Sequence, residues 1–235
     1  MLLEVKNLDA GYGFLQVLWD VSLKVDAGEY ICLIGPNGAG KSTTLKSIGG
    51  LVKPKNGDIT FKGEKIEGIP ASRVCRKGMV YISEELNLFT QMTVSENLSM
   101  GAYTVKDKKQ VMAGLEFVFD LFPRLAERKD QLAGTMSGGE RKMLAIARGM
   151  MSSPSLMLVD EPSLGLSPQL AAAVFKSLEV LKDKGVTILL VEQNVTKTLQ
   201  VTDRGYVLEK GKIVLDGKSS DLAQDDYVRK VFLGA

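Results

Sequence analysis

Four short, nearly continuous apolar runs dominate the hydrophobic pattern of the chain, and turn or polar residues bound each of them. The runs are Tyr30 to Ile34, Met79 to Ile82, Leu156 to Val159 and Val186 to Val191. Such runs are typical of parallel strands that are buried on both faces. Because ligands bind beyond the carboxyl ends of these strands, we expect the polar segments that follow the four runs to converge on one site.

Segments that alternate apolar and polar positions surround these runs. Leu3 to Lys6, Val21 to Val25 and Ile59 to Lys62 have the pattern of half-exposed antiparallel strands. Tyr206 to Leu208 and Ile213 to Leu215 have the pattern of a hairpin late in the chain. The sequence therefore predicts an α/β fold with a mixed, mainly parallel core sheet and an antiparallel β subdomain.

From Thr93 to about Arg128 the pattern becomes helical, and Pro123 interrupts it. We interpret residues from about 87 to 150 as a helical subdomain inserted between strands. There is no repeat, low-complexity segment or linker rich in proline and serine. Residues 1–235 are therefore expected to form a single domain that contains this helical subdomain.

Composition excludes several classes of protein. With 235 residues, of which 45% are hydrophobic, the chain can form a substantial core and is not disordered. The 30 basic and 28 acidic residues leave a net charge of only +2, so we expect no nucleic-acid partner. The chain has no histidine, which excludes histidine-based acid and base catalysis and histidine-ligated zinc.

The N-terminal residues and the cysteines indicate a compartment. Met1 to Lys6 lack the apolar stretch of a signal peptide, and no window approaches the roughly 18 consecutive apolar residues of a membrane span. Cys32 and Cys75 cannot form a disulfide framework, so a reducing environment is expected. We therefore expect a soluble chain in the cytoplasm.

The first chemical motif lies directly after the apolar run that ends at Ile34. It reads G-x-x-x-x-G-K-S and consists of Gly35, Pro36, Asn37, Gly38, Ala39, Gly40, Lys41 and Ser42. Its glycines let main-chain N–H groups turn towards phosphates, and the helical run from Thr43 adds the positive end of its dipole. Lys41 is expected to face solvent and to reach the β- and γ-phosphate oxygens, while Ser42 can hold Mg²⁺. The motif and its flanks favour a nucleotide-binding loop over a structural glycine-rich turn.

Two adjacent carboxylates follow the run from Leu156 to Val159. A strand end with an acid is common, and Asp160 alone could be a solvated residue that caps a helix. Beside a phosphate loop, Asp160 can instead hold Mg²⁺ through its water shell. Glu161, which points in a different direction, can orient or deprotonate the attacking water. The pair therefore predicts hydrolysis as well as binding.

A third motif opens another helix. It consists of Ser137, Gly138, Gly139 and Glu140. The inner face of this helix is expected to carry Met143, Leu144, Ala147, Met150 and Met151. An S-x-x-E sequence can be a capping box without any ligand. However, two glycines in a first turn cost about 1 kcal/mol each relative to alanine, which suggests that a ligand approaches the main chain closely. Because the phosphate loop already encloses its own phosphates, this ligand can belong to another subunit.

In order and spacing, the three motifs resemble the P-loop, signature and Walker B motifs of ATP-binding cassette (ABC) ATPases, and the resemblance covers essentially the whole chain. Within that family, residues 101–103, 121–125, 131–135, 160–166 and 190–194 resemble the ATP-binding subunits of branched-chain amino acid importers. The resemblance implies a P-loop NTPase that uses ATP and Mg²⁺. It also implies an ATPase that powers an importer from the inner face of the cell membrane.

The resemblance extends to assembly. It implies that two cassettes meet head to tail, so that ATP on one P-loop touches Ser137, Gly138 and Gly139 of the other. Residues 163–166 match the loop that crosses between the subunits. The implied partners are a second ABC ATPase, either an identical copy or a related chain, transmembrane permease subunits and, indirectly, a solute-binding protein.

Three single residues take their expected roles from the same resemblance. Tyr12 would stack on adenine, although by itself it is an ordinary turn aromatic between two glycines. Glu84 stands where most ABC ATPases have a glutamine that touches Mg²⁺ and senses the permease, so it is either a metal or coupling contact or part of a solvated acidic turn. Gln193 stands where most have a histidine against the γ-phosphate, and we place it with Lys41 and Glu161 in the catalytic set.

Other functions stay open at this point. The transported solute could be urea, an amide or another amino acid, because selectivity would lie in separate chains. A regulatory module that binds nucleotide but barely hydrolyses it is favoured by the missing histidine and disfavoured by Glu161. ABC ATPases of repair or translation usually carry two cassettes or a long coiled-coil insertion, and neither fits within 235 residues.

Overall fold

The computed structural model describes residues 1–233, in which ten strands form two sheets. The strands are β1 (Leu3–Tyr12), β2 (Leu15–Val25), β3 (Tyr30–Ile34), β4 (Asn56–Phe61), β5 (Glu64–Lys65), β6 (Met79–Ile82), β7 (Leu156–Asp160), β8 (Thr187–Val191), β9 (Arg204–Glu209) and β10 (Lys212–Lys218). The helices are α1 (Lys41–Ile48), α2 (Ala71–Arg76), α3 (Val94–Gly101), α4 (Lys108–Leu121), α5 (Pro123–Glu127), α6 (Gly138–Met150), α7 (Pro168–Asp183), α8 (Val195–Val201), α9 (Ser219–Leu222) and α10 (Asp226–Val228). A 3-10 turn at Ala133–Thr135 and a π-helical turn at Arg229–Leu233 complete them.

The larger sheet has the strand order β10-β9-β3-β8-β7-β6. All its neighbours pair in parallel except β9 and β10, which form the antiparallel hairpin expected from the sequence. Every residue of β3, β7 and β8 is buried, as continuous apolar runs require when both faces of a parallel sheet are covered. The carboxyl ends of β3, β6, β7 and β8, the strands of the four apolar runs, therefore lie along one edge of this sheet.

The alternating segments near the N-terminus form a separate antiparallel sheet with the order β2-β1-β4-β5. Its apolar face packs with helix α1 and one face of the larger sheet to form a single core cluster. This packing brings Tyr12, at the end of β1, to the side of the chain that carries α1, where its hydroxyl lies 3.5 Å from Thr43 Oγ1.

Helices α3 to α6 lie between β6 and β7 in the chain and pack on the opposite face of the larger sheet. The single helical stretch expected from Thr93 to Arg128 is divided into three helices, and Pro123 begins α5 at the first helical position, where its missing N–H is harmless. The outer limits of a helical subdomain at about 87 and 150 remain a prediction. Within the described residues, no helix is both long and apolar enough to cross a membrane.

Candidate active site

The loop between β3 and α1 has the form of a phosphate cradle. Helix α1 begins after Gly40, which has a left-handed φ of 108° and provides no side-chain cap. A Cβ atom at Gly40 would lie 2.6 Å from Leu18 Cδ2, so both backbone conformation and packing require glycine there. Because the first-turn N–H groups of a helix have no partners within it, this uncapped end can bind phosphate oxygens.

Lys41 is buried, which contradicts the expectation that it faces solvent. Its Nζ donates a 2.9 Å hydrogen bond to the carbonyl oxygen of Gly35 and lies 3.6 Å from Glu161 Oε1. Only 6% of the residue is exposed. The expectation was wrong because the loop carbonyl and the carboxylate draw the ammonium inward, across the concave side of the loop. This position still places the cation beside the main-chain groups that would contact phosphate.

Asp160 and Ser42 form the second part of the site. Ser42 Oγ donates to Asp160 Oδ1 at 3.0 Å, and the hydroxyl of Tyr81 donates to Asp160 Oδ2 at 2.8 Å. Burial raises the pKa of the Asp160 carboxyl, while these two hydrogen bonds act in the opposite direction. Asp160 is almost fully buried, and the next helix begins only at Pro168, so it is neither a solvated strand end nor a helix cap. An alcohol and a carboxylate at this spacing suit Mg²⁺, which prefers hard oxygen ligands.

Glu161 lies beside this pair but points elsewhere. Its φ of 49° is left-handed, which is rare for a residue other than glycine, and it turns the side chain away from Asp160. Oε2 accepts a 3.0 Å hydrogen bond from the N–H of Gln193. Burial, aided by the charge of Glu192, raises the pKa of Glu161 from 4.5 to about 7, although Lys41 opposes the shift. A carboxylate with a pKa near neutrality is suited to act as a general base.

Glu192 is a residue that sequence reasoning placed in the convergent segment but gave no role. It is buried, and its Oε1 accepts a 2.7 Å hydrogen bond from the N–H of Ser163, while Oε2 accepts one of 3.2 Å from the N–H of Gln193. It therefore joins the segment after β7 to the segment after β8. The signal was available, since Glu192 follows β8 in the chain as Glu161 follows β7.

The phosphate loop, Ser42, Glu161 and Gln193 line one cleft with a volume of about 460 Å³. Its lining residues are Tyr12, Leu15, Val17, Asn37, Gly38, Ala39, Gly40, Lys41, Ser42, Thr43, Glu84, Glu161 and Gln193. The cleft thus brings together most of the expected site residues from segments far apart in the chain. Gly35, Pro36 and Asp160 are not among its lining residues, and Asp160 adjoins the cleft through its hydrogen bond with Ser42. Glu84 and Gln193 are exposed at its rim, where Glu84 is compatible with both a metal contact and a solvated turn.

The residues from Ser137 to Glu140 do not belong to the lining of this cleft. Ser137 caps α6 by accepting a hydrogen bond from the N–H of Glu140, and Glu140 Oε2 accepts one from the N–H of Ser137, so the capping box is present. A Cβ atom at Gly139 would lie 2.6 Å from Leu170 Cδ1, whereas one at Gly138 would meet nothing within 4 Å. Packing within the chain therefore accounts for Gly139 and leaves Gly138 unexplained.

A parallel sheet, an uncapped helix after a glycine loop, and a serine hydroxyl against a strand-end aspartate together define a P-loop nucleotide-binding protein. Residues 18–164 match the family model described as ABC transporter, and the chain belongs to this family. This confirms the family and the fold class expected from the three motifs. The chain is accordingly an ATPase subunit whose ligand is a nucleotide, while the roles of individual residues stay predictions.

Several proteins are similar over their full length. The high-affinity branched-chain amino acid transport ATP-binding protein BraG of Pseudomonas aeruginosa is 46% identical over 234 residues, covering 99% of this chain and 100% of that protein. The probable branched-chain amino acid transport ATP-binding protein LivF of Archaeoglobus fulgidus is 37% identical, with 99% of each chain covered. The lipopolysaccharide export system ATP-binding protein LptB of Escherichia coli K12 is 32% identical, covering 99% of this chain and 97% of that protein.

Solved structures show the same fold. The ADP conformation of an ATP-binding cassette of an ABC transporter superposes with a TM-score of 0.86 at 28% identity, covering 100% of this chain and 99% of that one. A nucleotide-free ATP-binding cassette from an ABC transporter gives a TM-score of 0.84 at 28% identity with the same coverage. Both comparisons span the whole described fold, including the antiparallel sheet and the helices between β6 and β7.

Proposed function

We propose that this chain is the ATP-hydrolysing subunit of an ABC importer for branched-chain amino acids. The observation that carries the enzymatic part is the position of Glu161, a buried carboxylate with a raised pKa that lies 3.6 Å from the P-loop lysine. A protein that only bound nucleotide would not need this group beside Asp160. The choice of solute rests on the 46% and 37% identity with two ATP-binding proteins of branched-chain amino acid transport.

In this proposal each part of the cleft has one task. The loop from Gly35 to Gly40 and the first turn of α1 hold the phosphates through main-chain N–H groups. Tyr12, whose hydroxyl lies 3.5 Å from Thr43 Oγ1, offers its half-exposed ring to the base. Lys41 turns its ammonium from the Gly35 carbonyl to the phosphate oxygens, and Glu161 takes up the proton of the attacking water.

The oxygen ligands fit a magnesium ion. Ser42 Oγ and Asp160 Oδ1 already lie 3.0 Å apart at the end of β7, and Tyr81 holds the second carboxylate oxygen in place. Glu84, at the rim of the same cleft, is the third candidate. When bound, Mg²⁺ supplies positive charge against the phosphates.

Gln193 affects how strongly the site stabilises the transition state of hydrolysis. Its main chain is fixed by the hydrogen bond to Glu161, and its side chain lines the cleft. A neutral amide can donate to a phosphate oxygen, but charge-assisted hydrogen bonds are roughly twice as strong. If a related partner cassette carries histidine at this position, the site on the P-loop of this chain is therefore the slower of the two.

The site of one chain becomes complete only in a pair. Gly138 lies at the exposed start of α6 with free space around its Cα, as close approach of a second molecule requires. We infer that Ser137, Gly138 and Gly139 meet the nucleotide of a second cassette, and that Glu140 orients them through the capping box. Permease subunits in the membrane, served by a solute-binding protein, complete the importer, and the chain works at the inner face of the cell membrane.

Two substitutions in the purified full chain test the proposal. Lys41→Ala should abolish binding of a fluorescent ATP analogue, because the cation at the phosphate loop is lost. Glu161→Gln should retain binding and lose hydrolysis, and Lys109→Ala, which removes an exposed lysine of α4, serves as the matched control. In the source organism neither site variant should restore uptake of labelled leucine to a deletion strain. Normal analogue binding by Lys41→Ala would refute the phosphate site, and uptake of leucine unaffected by the deletion would refute the assigned solute.

A further inference from the structure

One buried lysine outside the cleft contacts the catalytic segment directly. Lys142 lies on α6, and its Nζ donates a 2.8 Å hydrogen bond to the main-chain carbonyl oxygen of Glu161. Only 8% of the residue is exposed. Burial of an ammonium is costly unless its donors are satisfied, so a lysine directed at this carbonyl needs a reason beyond packing.

The bond acts on a residue whose main chain is unusual. Glu161 has a left-handed φ of 49°, a conformation that persists only when its surroundings determine it. Its N–H donates to the carbonyl oxygen of Val191 at 2.9 Å, and its own carbonyl oxygen accepts from Lys142. The two bonds fix the peptide groups on both sides of the Cα atom. They therefore set the direction in which the Glu161 side chain projects from the main chain.

Helix α6 also carries the third motif. Ser137 is its N-cap, and Lys142 follows five residues later, at a rise of about 7.5 Å along the axis. At the other end of the helix, Arg148 donates to the carbonyl oxygens of Leu86 and Asn87, in the segment that follows β6. Helix α6 therefore begins at the third motif and also contacts both the catalytic segment and the loop that contains Glu84.

We propose that Lys142 is a positioning residue that ties the main chain of Glu161 to the helix that meets the nucleotide of the partner cassette. This inference rests on the proposed function, and in particular on the head-to-tail pair. When the first turn of α6 is ordered by the partner's nucleotide, the bond from Lys142 holds Glu161 of the same chain in its working orientation. Each chain thus uses one helix both to complete the other site and to align its own carboxylate.

The test separates alignment from packing. Lys142→Met keeps the aliphatic stem and removes the donor, so the interface between α6 and the sheet stays filled. We expect kcat for ATP to fall about tenfold or more with KM changed less than about twofold, because misplacing a reacting group by about 1 Å can cost about 100-fold. Lys142→Arg, which retains a cationic donor, should recover most of the loss.

Two further variants control the result. Arg141→Met removes the same charge from the neighbouring position of α6, and its kcat should stay within about twofold of that of the unmodified chain. If Lys142→Met does not fold, Lys142→Gln provides the same measurement, since its donor is one bond shorter and falls short of the Glu161 carbonyl. An unchanged kcat, a rise in KM that accounts for the loss, or an equal loss in Arg141→Met would overturn the proposal.

Combination with Glu161→Gln distinguishes this inference from the proposed function. The double variant Lys142→Met, Glu161→Gln should still bind ATP and form the ATP-dependent dimer, because Lys142 acts only through Glu161. Loss of that dimer would show that Lys142 supports α6 as a whole, and the positioning role would be wrong. If Lys41→Ala and Glu161→Gln abolish hydrolysis while Lys142→Met does not, the positioning role alone fails. If those two variants hydrolyse normally, the proposed function itself fails.

Discussion

At the scale of single residues, Glu161 shows how the requirements of folding and of the site oppose each other. Burial, and then the charges of Glu192 and Asp160, disfavour the ionised form of its carboxyl, whereas Lys41 and the N–H of Gln193 favour it. The resulting pKa of about 7 is well above the ordinary value of 4.5. A carboxyl so placed is poorly ionised at low pH but gains and loses protons readily near neutrality.

This shift predicts a pH dependence of stability. Between pH 4.5 and about 7 the native state keeps the proton of Glu161 while the unfolded state releases it, so stability falls as the pH rises through this window. Glu161→Gln removes the titration. Its free energy of unfolding relative to the unmodified chain should therefore rise by about 3 kcal/mol from pH 4.5 to pH 8, at about 1.4 kcal/mol per pKa unit.

Urea unfolding of both proteins across this range measures the difference. The loss of the Glu161 contacts adds an offset that does not vary with pH, so only the slope counts. A difference that stays constant from pH 4.5 to pH 8 would show that the pKa of Glu161 is not raised in the native state. In that case its role as a base poised near neutrality would be wrong.

Residue identities were more predictable from the sequence than residue surroundings. The motif placed Ser42 and Asp160 together, but Tyr81 could not be connected with Asp160, because their contact depends on the parallel register of β6 and β7, in which Tyr81 pairs with Leu158. Lys41 was misjudged for a similar reason. Whether a lysine is exposed depends on carbonyl and carboxylate groups that the fold brings to it, and its own sequence neighbours do not show them.

At the scale of elements, α6 combines a complete capping box with a glycine that the chain itself does not need. Gly139 lies against Leu170, while the space beside Gly138 is free. The sequence supported both a cap and a ligand contact, and the structure shows the first directly. The contrast between the two glycines is what supports the second.

Gly138→Asp tests the exposed start of α6. A carboxylate in the first turn of a helix is favoured by the helix dipole by about 0.3–1 kcal/mol, so the thermal stability of the isolated chain should not fall. Binding of ATP by one chain should also be unchanged, whereas hydrolysis should be lost, because the carboxylate would face the partner's phosphates and repel them. Gln110→Asp adds the same charge to the first turn of α4 and should hydrolyse ATP normally. Normal hydrolysis by Gly138→Asp would exclude the start of α6 from the composite site.

The strands and helices differed in how well their pattern predicted them. Buried parallel strands such as β7 and β8 were evident, because no polar residue interrupts their apolar runs. The antiparallel subdomain that contains β1, β2 and β4 was expected, but its strand order was not, because alternation indicates a half-exposed strand without indicating its neighbours. The division of α3 from α4 likewise depends on packing and on the caps at Thr93 and Asp107.

At the scale of the whole molecule, the three motifs of the described chain do not share one cleft. The cleft at the ends of β3 and β7 is lined by the phosphate loop, Ser42 and Glu161, while the start of α6 lies outside it. In the head-to-tail pair that we propose, each chain supplies the start of its α6 to the cleft of the other.

The mass of Glu161→Gln in solution tests this account most directly. With MgATP the variant binds nucleotide without turning it over, so the pair should persist. Light scattering, on the chain alone and mixed with the related cassette, should show a change from a mass near 25.5 kDa to one near double that value. The double variant Glu161→Gln, Gly138→Asp should remain near 25.5 kDa at the same ATP concentration. A double variant that pairs as readily as Glu161→Gln, or a Glu161→Gln chain that stays single in both samples with ATP bound, would contradict the composite site.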